Sequence, residues 1–261
     1  MKMEQDIIKN EAAQRPSSSF LIPNSSFHRT VIPEWMDQPD AQPEELIEDL
    51  NDLVKLNRFG WGAGLVWECV RKVMRSNPAK GDWTLLDIAT GSADIPRYLV
   101  DWARRNGISL RVTATDLHPV TLNFAREQSR DYPEVDFETA NLISLQYADN
   151  SFDIVTCSQA LHHFGSEEIV TALRHMGRIA RRAVIVSDLV RSKWGEMFVS
   201  LAIHLGGGGR FARHDGPASM RNGFKLWEMD RLACQAGLNR QRHFRHRGLR
   251  FAMTWMKKLD S

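Results

Sequence analysis

The sequence has 261 residues, of which 43% are hydrophobic and 25% charged, and this composition argues against disorder and against a disulfide-rich scaffold. The three cysteines, Cys69, Cys157 and Cys234, form no C-x-x-C pair, so they indicate a reducing compartment and we predict no metal site. The N-terminus is polar, and no run approaches the roughly 18 apolar residues of a membrane helix. We therefore expect no signal peptide, no membrane span and a cytoplasmic location.

Charge is distributed unevenly along the chain, although the net charge is only +2. From Arg191 onward there are 14 Lys and Arg residues against 5 Asp and Glu residues, whereas residues 1–190 hold 20 and 27. A basic C-terminal third can attract phosphate, coenzyme A, an acidic carrier protein or RNA, because opposite charges steer encounter. A solvated basic face explains the same charges, and we favour that reading.

The N-terminal residues 1–40 are predicted to be an extended arm, because prolines and serine clusters interrupt them. Residues 41–80 are predicted to form a helical cap. Pro43 is followed by two glutamates, which is typical of a first helical turn, and Leu46 and Leu50 then recur at helical spacing.

Residues 81–190 alternate short apolar runs with amphipathic helices. This alternation predicts a parallel sheet with helices on both faces, and right-handed crossovers make it doubly wound. The predicted strands are Thr84–Ala89, Leu110–Thr115, Val135–Thr139, Phe152–Cys157 and Ala183–Ser187, with a helix near Glu167–Ile179 before the last of them.

The pattern becomes less regular after this core. Residues 191–224 are predicted to be a lid insertion, in which Trp194–Leu205 is helical and the glycines of Gly206–Gly209 form either a flexible hinge or a plain surface loop. Residues 225–261 are predicted to complete the sheet. Their predicted elements are a helix, Lys225–Ala236, ended by Gly237, and two strands, Leu238–Phe244 and Leu249–Trp255.

The segment from Leu85 to Asp94 is an apolar strand that runs into a turn of small residues and then into a helix. Small side chains at the carboxyl end of a parallel sheet let a ligand approach the backbone closely. Gly91 is the only glycine of the turn, and Ala89 and Ala93 flank it. The dinucleotide fingerprint G-x-G-x-x-G is therefore absent, which argues against a pyrophosphate site.

Asp116 closes the second predicted strand, 25 residues after Gly91. A carboxylate at that place can accept hydrogen bonds from both hydroxyls of a ribose. It can also cap the helix that follows His118 and Pro119. Together with the small-residue turn, it favours a nucleoside-like ligand.

Residues 84–190 resemble class I S-adenosylmethionine-dependent methyltransferases, close to the methyltransferase 11/12 and ubiquinone/menaquinone-type groups. The run from Asp87 to Ala93 is similar to the family loop D-x-G-x-G-x-G, with alanine in place of two glycines. Asp116 corresponds to the acid that family members use on ribose. The segments Asp149–Val155 and Ser158–Phe164 resemble the family's fourth strand and the loop after it.

The resemblance implies a Rossmann-like, mostly parallel seven-stranded sheet with an antiparallel last strand, and S-adenosylmethionine as a cofactor that leaves as S-adenosylhomocysteine. Asn141 stands where the family usually has an acid at the adenine amine, and an amide oxygen can accept the same hydrogen bond. The implied cofactor-binding residues are Asp87, Ala89, Thr90, Gly91, Asp116, Leu117, Asn141, Leu142, Ser158 and Arg58.

The predicted activity is in-line methylation of a small organic molecule such as a phenol, enol, quinone-type or polyketide-like acceptor, with oxygen favoured as the accepting atom. Such a reaction needs alignment and, for a phenol or enol, a base that removes a proton. Imidazole suits that task at neutral pH. The candidates are His162, His163 and His214, although each is also compatible with a purely structural role.

Two alternatives stay open. An RNA methyltransferase is compatible with the basic C-terminal third, but Ser158–Leu161 is not the Asp/Asn-Pro-Pro-aromatic motif that grips a base, so nucleic acid is not favoured. A catalytically degenerate protein that keeps the fold as a binding partner is compatible with the two alanines and Asn141. An acidic carrier protein stays open as a partner, and the sequence does not decide the oligomeric state.

Overall fold

The computed structural model describes residues 29, 31–37, 42–59, 62–76, 81–206, 209–238 and 242–257. Within these ranges two helices precede the first strand, and strands and helices alternate from Trp83 to Thr139. No helix in this described part is both long and apolar enough to cross a lipid bilayer.

One sheet organises the described chain. Its strands are β1 (Trp83–Ile88), β2 (Leu110–Asp116), β3 (Val135–Thr139), β4 (Phe152–Ser158), β5 (Ala180–Leu189), β6 (Arg242–Arg247) and β7 (Arg250–Met256). They lie in the order β3-β2-β1-β4-β5-β7-β6. The pairs from β3 to β5 are parallel, whereas β7 is antiparallel to both β5 and β6. The predicted fold class is confirmed.

Helices cover both faces of this sheet. They are α1 (Pro43–Phe59), α2 (Gly62–Ser76), α3 (Asp94–Arg105), α4 (Pro119–Gln128), α5 (Ser166–Ile179), α6 (Lys193–Gly206), α7 (Arg210–Asn222) and α8 (Leu226–Gln235). Single 3-10 turns occupy Trp35–Asp37 and Leu161–His163. Side chains of α2 and α3 line one core, and side chains of α5 and α8 line the other.

The central strand β1 shows how the sequence divides these two cores. Leu85 and Leu86 point to opposite faces, as neighbours in a strand must, and both are fully buried. Each such leucine stabilises the fold by about 1.5–3 kcal/mol relative to an exposed side chain. Burial on both faces fixes the position of β1, and with it the turn at its carboxyl end.

The strand predicted over Leu238–Phe244 is shifted in the structure, because β6 covers Arg242–Arg247. Leu238 packs on α5 instead: a Cβ added to Gly177 would lie 2.8 Å from its Cδ2. The register of β6 follows from the hairpin with β7, whose turn contains Gly248 at φ +57°. Apolar character alone therefore misplaced this strand by about four residues.

Within the predicted lid, residues 210–222 form the helix α7, for which the sequence analysis gives no element. Gly216 and Pro217 suggest a break, yet both lie inside the helix, where the proline removes a single backbone donor. Gly216 is the crossing point with α6, since a Cβ there would collide with Ile203. Residues 207 and 208 lie outside the described residues, so the hinge and the division into arm, cap, core and lid stay predictions.

Candidate functional site

The turn after β1 lies at the carboxyl edge of the sheet, where open α/β sheets bind ligands. Its backbone is left-handed at Ala89, Gly91 and Ala93, with φ of 55°, 57° and 56°. The two alanines thus adopt the conformation that the methyltransferase resemblance assigns to glycines, at a cost of about 1–2 kcal/mol each. The register of β1 places this turn between the ends of β2 and β4.

Asp87, in β1, holds the turn through two side-chain hydrogen bonds. Its Oδ2 accepts a hydrogen bond from the Thr90 hydroxyl at 2.7 Å, and its Oδ1 accepts one from the Thr156 hydroxyl at 2.6 Å. Burial raises the pKa of Asp87 to about 6, while the two threonine hydrogen bonds act in the opposite direction. Both oxygens are engaged within the protein, so Asp87 and Thr90 shape the turn and tie it to β4.

Asp116, at the end of β2, faces the same turn. Its Oδ2 accepts a hydrogen bond from the Gly91 N–H at 3.0 Å, and its Oδ1 accepts one from the His118 N–H at 3.1 Å. Burial raises the pKa of this carboxyl group above its ordinary value, against the effect of these N–H donors. The next residue, Leu117, is half-exposed at the edge.

Asn141 and Leu142 follow β3, the neighbour of β2. The Asn141 Oδ1 accepts a hydrogen bond from the Ile143 N–H at 3.1 Å. Leu142 is buried in the core on the α5 side of the sheet. The structure thus brings both residues to the edge where Asp116 lies, because Asp116 pairs with Thr139 of β3.

The end of β4 closes the other side of the turn. Gln159 has a φ of 54° and donates its N–H to the Ser187 carbonyl at 2.8 Å, so the chain turns sharply after Ser158. The Ser158 Oγ is buried and finds no hydrogen-bond partner among the described residues. Buried hydroxyl groups are rarely left without a partner, so this atom marks a place where a polar ligand fits.

Helix α1 lies over the turn, since a Cβ added to Gly91 would lie 3.8 Å from the Leu50 Cδ2. Leu46 and Leu50 pack there against Phe124 of α4. Arg58 belongs to the last turn of α1, but its side chain lies outside the described part of the structure.

His162 occupies the loop after β4 and is almost fully buried. Its Nδ1 lies 2.7 Å from the Asp188 Oδ1, and its Nε2 lies 3.6 Å from the Glu34 Oε1. Asp188 belongs to β5, next to the Ser187 that pairs with Ser158. The imidazole is therefore held between two buried carboxylates. It lies at the same edge of the sheet as the turn after β1, but beside β5.

His163 lies beside it, with the two imidazole centroids 4.2 Å apart. The His163 Nδ1 is 3.9 Å from the Glu34 Oε2. Ligand atoms of Glu34, His162 and His163 all lie within 4.8 Å of one another, so this trio could also hold a divalent cation.

His214, on α7, is placed differently from the other two histidines. Its Nδ1 lies 2.7 Å from the Asp215 Oδ1, and its ring stacks on Trp35 at 4.1 Å. Asp215 also accepts hydrogen bonds from the backbone N–H groups of Trp35 and Met36. His214 thus belongs to a contact that fastens the segment before α1 to α7.

The same segment is fastened to the His162 loop. The Arg29 guanidinium donates hydrogen bonds to the carbonyls of His162 and Phe164, and burial lowers its pKa. The buried Asn222 side chain accepts from the Ile32 N–H at 2.8 Å and donates to its carbonyl at 2.9 Å. These hydrogen bonds hold the segment that places Glu34 beside His162 and His163.

Glu34 and Asp188 are absent from the residues that the sequence pointed to. Asp188 carries a usable signal, because it is an acid that directly follows the predicted strand Ala183–Ser187 at the carboxyl edge. Glu34 carries none, since it lies in an irregular segment of a predicted arm, more than 120 residues from His162 in the sequence. Its placement depends on the tertiary contacts of that segment.

Sequence comparison relates part of this chain to methyltransferases. Residues 86–186 match the family model of the methyltransferase domain. The ubiquinone/menaquinone biosynthesis C-methyltransferase UbiE of Bdellovibrio bacteriovorus is 31% identical over 126 residues, covering 48% of this chain and 50% of that protein. The chain thus matches about half the length of this curated relative.

Two solved structures share the fold. A provisionally assigned O-methyltransferase of Nostoc punctiforme superposes with a TM-score of 0.60 at 17% identity, covering 88% of this chain and 64% of that one. A SAM-dependent methyltransferase of Aquifex aeolicus superposes with a TM-score of 0.55 at 17% identity, covering 82% and 98%. The predicted resemblance to class I methyltransferases is therefore confirmed for the domain and its fold.

Proposed function

We propose that this chain, whose residues 86–186 form a methyltransferase domain, is an S-adenosylmethionine-dependent methyltransferase that acts on a small organic molecule. The observation that carries the proposal is the position of Asp116, whose Oδ2 lies 3.0 Å from the Gly91 N–H. This pair stands at the carboxyl edge beside β1, where the strand order reverses and α/β sheets bind nucleosides.

The described residues fit that cofactor in three ways. Each Asp116 oxygen accepts one backbone N–H and keeps a further lone pair for a ribose hydroxyl, and the left-handed turn around Gly91 brings the backbone to the same edge. The Ser158 hydroxyl is a buried polar atom in need of a partner. The proposed cofactor-binding residues remain Asp87, Ala89, Thr90, Gly91, Asp116, Leu117, Asn141, Leu142, Ser158 and Arg58, with Asp87 and Thr90 acting through the turn that they hold.

S-adenosylmethionine, when bound, supplies a methyl group that is already activated for in-line transfer. The protein then has to hold the acceptor in line, exclude water and take up the acceptor's proton. Holding the reacting atoms about 3–3.5 Å apart provides a large part of the rate acceleration.

His162 is the residue that we propose takes up this proton. Asp188 accepts a hydrogen bond from Nδ1–H, which fixes the tautomer and leaves Nε2 to receive a proton from a phenol or enol. Glu34, 3.6 Å from Nε2, stabilises the positive charge that then appears on the ring. We propose that Asp188 and Glu34 are positioning residues for His162, that His163 supports the acceptor beside it, and that His214 holds the arm segment in place.

The acceptor class follows from the base and from the relatives. A buried imidazole is most useful to a hydroxyl that must ionise, so we propose a phenol, enol or hydroquinone as the acceptor, with transfer to oxygen favoured. Curated relatives named ubiquinone/menaquinone biosynthesis C-methyltransferases make carbon the competing position on the same kind of ring.

The test is a transfer assay with radiolabelled S-adenosylmethionine and a panel of alkylphenols, enols and hydroquinones. We expect His162→Ala to lower kcat by about 100-fold or more while cofactor affinity stays the same, because proton removal is lost and Asp116 with the turn around Gly91 is unchanged. The matched control is His175→Ala on α5, which should keep the activity of the wild type. An unchanged kcat in the His162 variant would remove His162 from the mechanism.

Treatment with a chelator distinguishes a histidine base from a metal site. If Glu34, His162 and His163 held a required cation, EDTA would abolish turnover and added divalent metal would restore it. We expect turnover to survive EDTA. We also expect Asp188→Asn to shift the pH dependence of kcat, because the partner of the His162 Nδ1 changes.

A further inference from the structure

Helix α6 exposes an unusual row of large apolar side chains. Trp194, Phe198, Leu201 and Leu205 recur at spacings of three and four residues, which places them on one side of the helix. Trp194 is 74% exposed and Leu205 is 80% exposed, and the other members of the row, including Met197, are more than half exposed. A protein surface rarely leaves such a contiguous apolar strip without a partner.

The opposite side of α6 packs against α7 and the residues before β7. Gly195 faces Met220 and Leu249, and Ile203 faces Gly216 of α7. The helix is therefore apolar on both sides, a pattern that is typical of helices with a second apolar environment. The exposed row, Trp194, Met197, Phe198, Leu201 and Leu205, is called the α6 strip below.

Exposed cations lie near both ends of α6. Lys193 begins the helix, and Arg210 and Arg213 follow its end on α7, where Arg210 also pairs with Glu45 at 3.5 Å. The one acidic residue of α6, Glu196, accepts hydrogen bonds from Arg221 at 2.7 Å, so its charge is compensated. An aromatic and aliphatic strip between cations is the composition of helices that lie in the surface of an anionic membrane.

We propose that the α6 strip docks on an anionic lipid bilayer, with its tryptophan, phenylalanine and leucines inserted at the boundary between headgroups and acyl chains. A second copy of the chain is the main competing occupant. A two-fold contact centred on α6 would bring Lys193, Arg210 and Arg213 of both copies toward each other, and like charges oppose that contact. Lipid phosphates offer the opposite charge.

The proposal does not depend on the proposed function, because it rests only on the exposed strip and its charges. The two combine in one consequence. A methyltransferase that docks in this way would take an acceptor that partitions into the bilayer, such as a phenol or hydroquinone with an alkyl chain.

The experiment is flotation of the full chain with vesicles of phosphatidylcholine alone and of phosphatidylcholine mixed equally with phosphatidylglycerol. We expect binding to the mixed vesicles that weakens as salt rises, since the cations contribute. Phe198→Glu combined with Leu201→Glu should lower the bound fraction by roughly tenfold or more. The matched control is Trp227→Glu on α8, an exposed aromatic residue outside the strip, which should bind as the wild type does.

Three results would overturn the proposal: no binding of the wild type to mixed vesicles, equal binding of the double variant, or a stable dimer in light scattering that the double variant abolishes. A thermal melt of each variant verifies folding, and the milder Trp194→Gln, expected to weaken binding several-fold, serves if the double variant fails to fold. Cofactor titration of the same preparations keeps this result separate from the proposed function.

Discussion

Asp87 shows why a residue inside a motif need not touch the ligand that the motif binds. Its two oxygens are used by the Thr90 and Thr156 hydroxyls, and it is almost fully buried. Charge burial without a cation is costly, which is why its pKa rises to about 6. His162 presents the other case: Asp188 contacts one of its nitrogens, and in the proposed mechanism the other nitrogen takes up the acceptor's proton.

The Asp87 environment predicts a pH dependence of stability. Its pKa is about 6 in the folded chain and 3.8 in the unfolded reference, so the carboxyl group favours folding below about pH 4 and this contribution is lost as the pH rises through 6. We expect the free energy of unfolding of the wild type to fall, relative to that of Asp87→Asn, by about 3 kcal/mol between acidic and neutral pH. Urea unfolding at both pH values measures it.

The control for this measurement is Asp136→Asn, which changes an exposed carboxyl group on β3. Its stability difference from the wild type should not follow the same pH curve. A pH-independent difference between wild type and Asp87→Asn would mean that Asp87 titrates normally, and the account of its burial would be wrong.

At the scale of elements, backbone conformation matters more than residue type in the turn after β1. Ala89 and Ala93 keep the left-handed geometry that glycine adopts freely. The same principle explains why α7 escaped prediction, because Gly216 and Pro217 suggest a loop in sequence, while packing against Ile203 of α6 keeps them helical. Residue type thus indicates where the backbone is strained. It does not show whether tertiary contacts stabilise the strained conformation.

The turn offers a matched pair of substitutions. Gly91→Ala introduces a side chain at φ +57° into open space near Leu50, so only backbone strain opposes it, and we expect a loss of about 1 kcal/mol. Ala89→Gly removes the same kind of strain at φ 55°, and this outweighs the freedom that it adds to the unfolded chain, so we expect a gain of up to about 1 kcal/mol. Thermal unfolding of both variants tests this, and a larger loss for Ala89→Gly than for Gly91→Ala would contradict it.

At the scale of the whole molecule, most of the fold could be predicted from the sequence, but only part of the candidate site could. Val135–Thr139 has the bounds that apolar patterning predicts, and the alternation of strands and helices gives the doubly wound sheet. Gly91 and Asp116 could be placed at the carboxyl edge from the sequence, because Gly91 shortly follows β1 and Asp116 ends β2. The position of Glu34 beside His162 could not be predicted, because the contacts of Arg29 and Asn222 that help to hold its segment span more than 130 residues of sequence.

The most direct test of the central claim is calorimetric titration of the purified chain with S-adenosylmethionine and S-adenosylhomocysteine, for the wild type, Asp116→Ala and the control Asp136→Ala. The account predicts binding of both compounds to the wild type and to the control, with affinity weaker by about 1–3 kcal/mol for Asp116→Ala, because a charged hydrogen bond to ribose is lost. Failure of the wild type to bind either compound, or equal affinity in Asp116→Ala, would contradict the account.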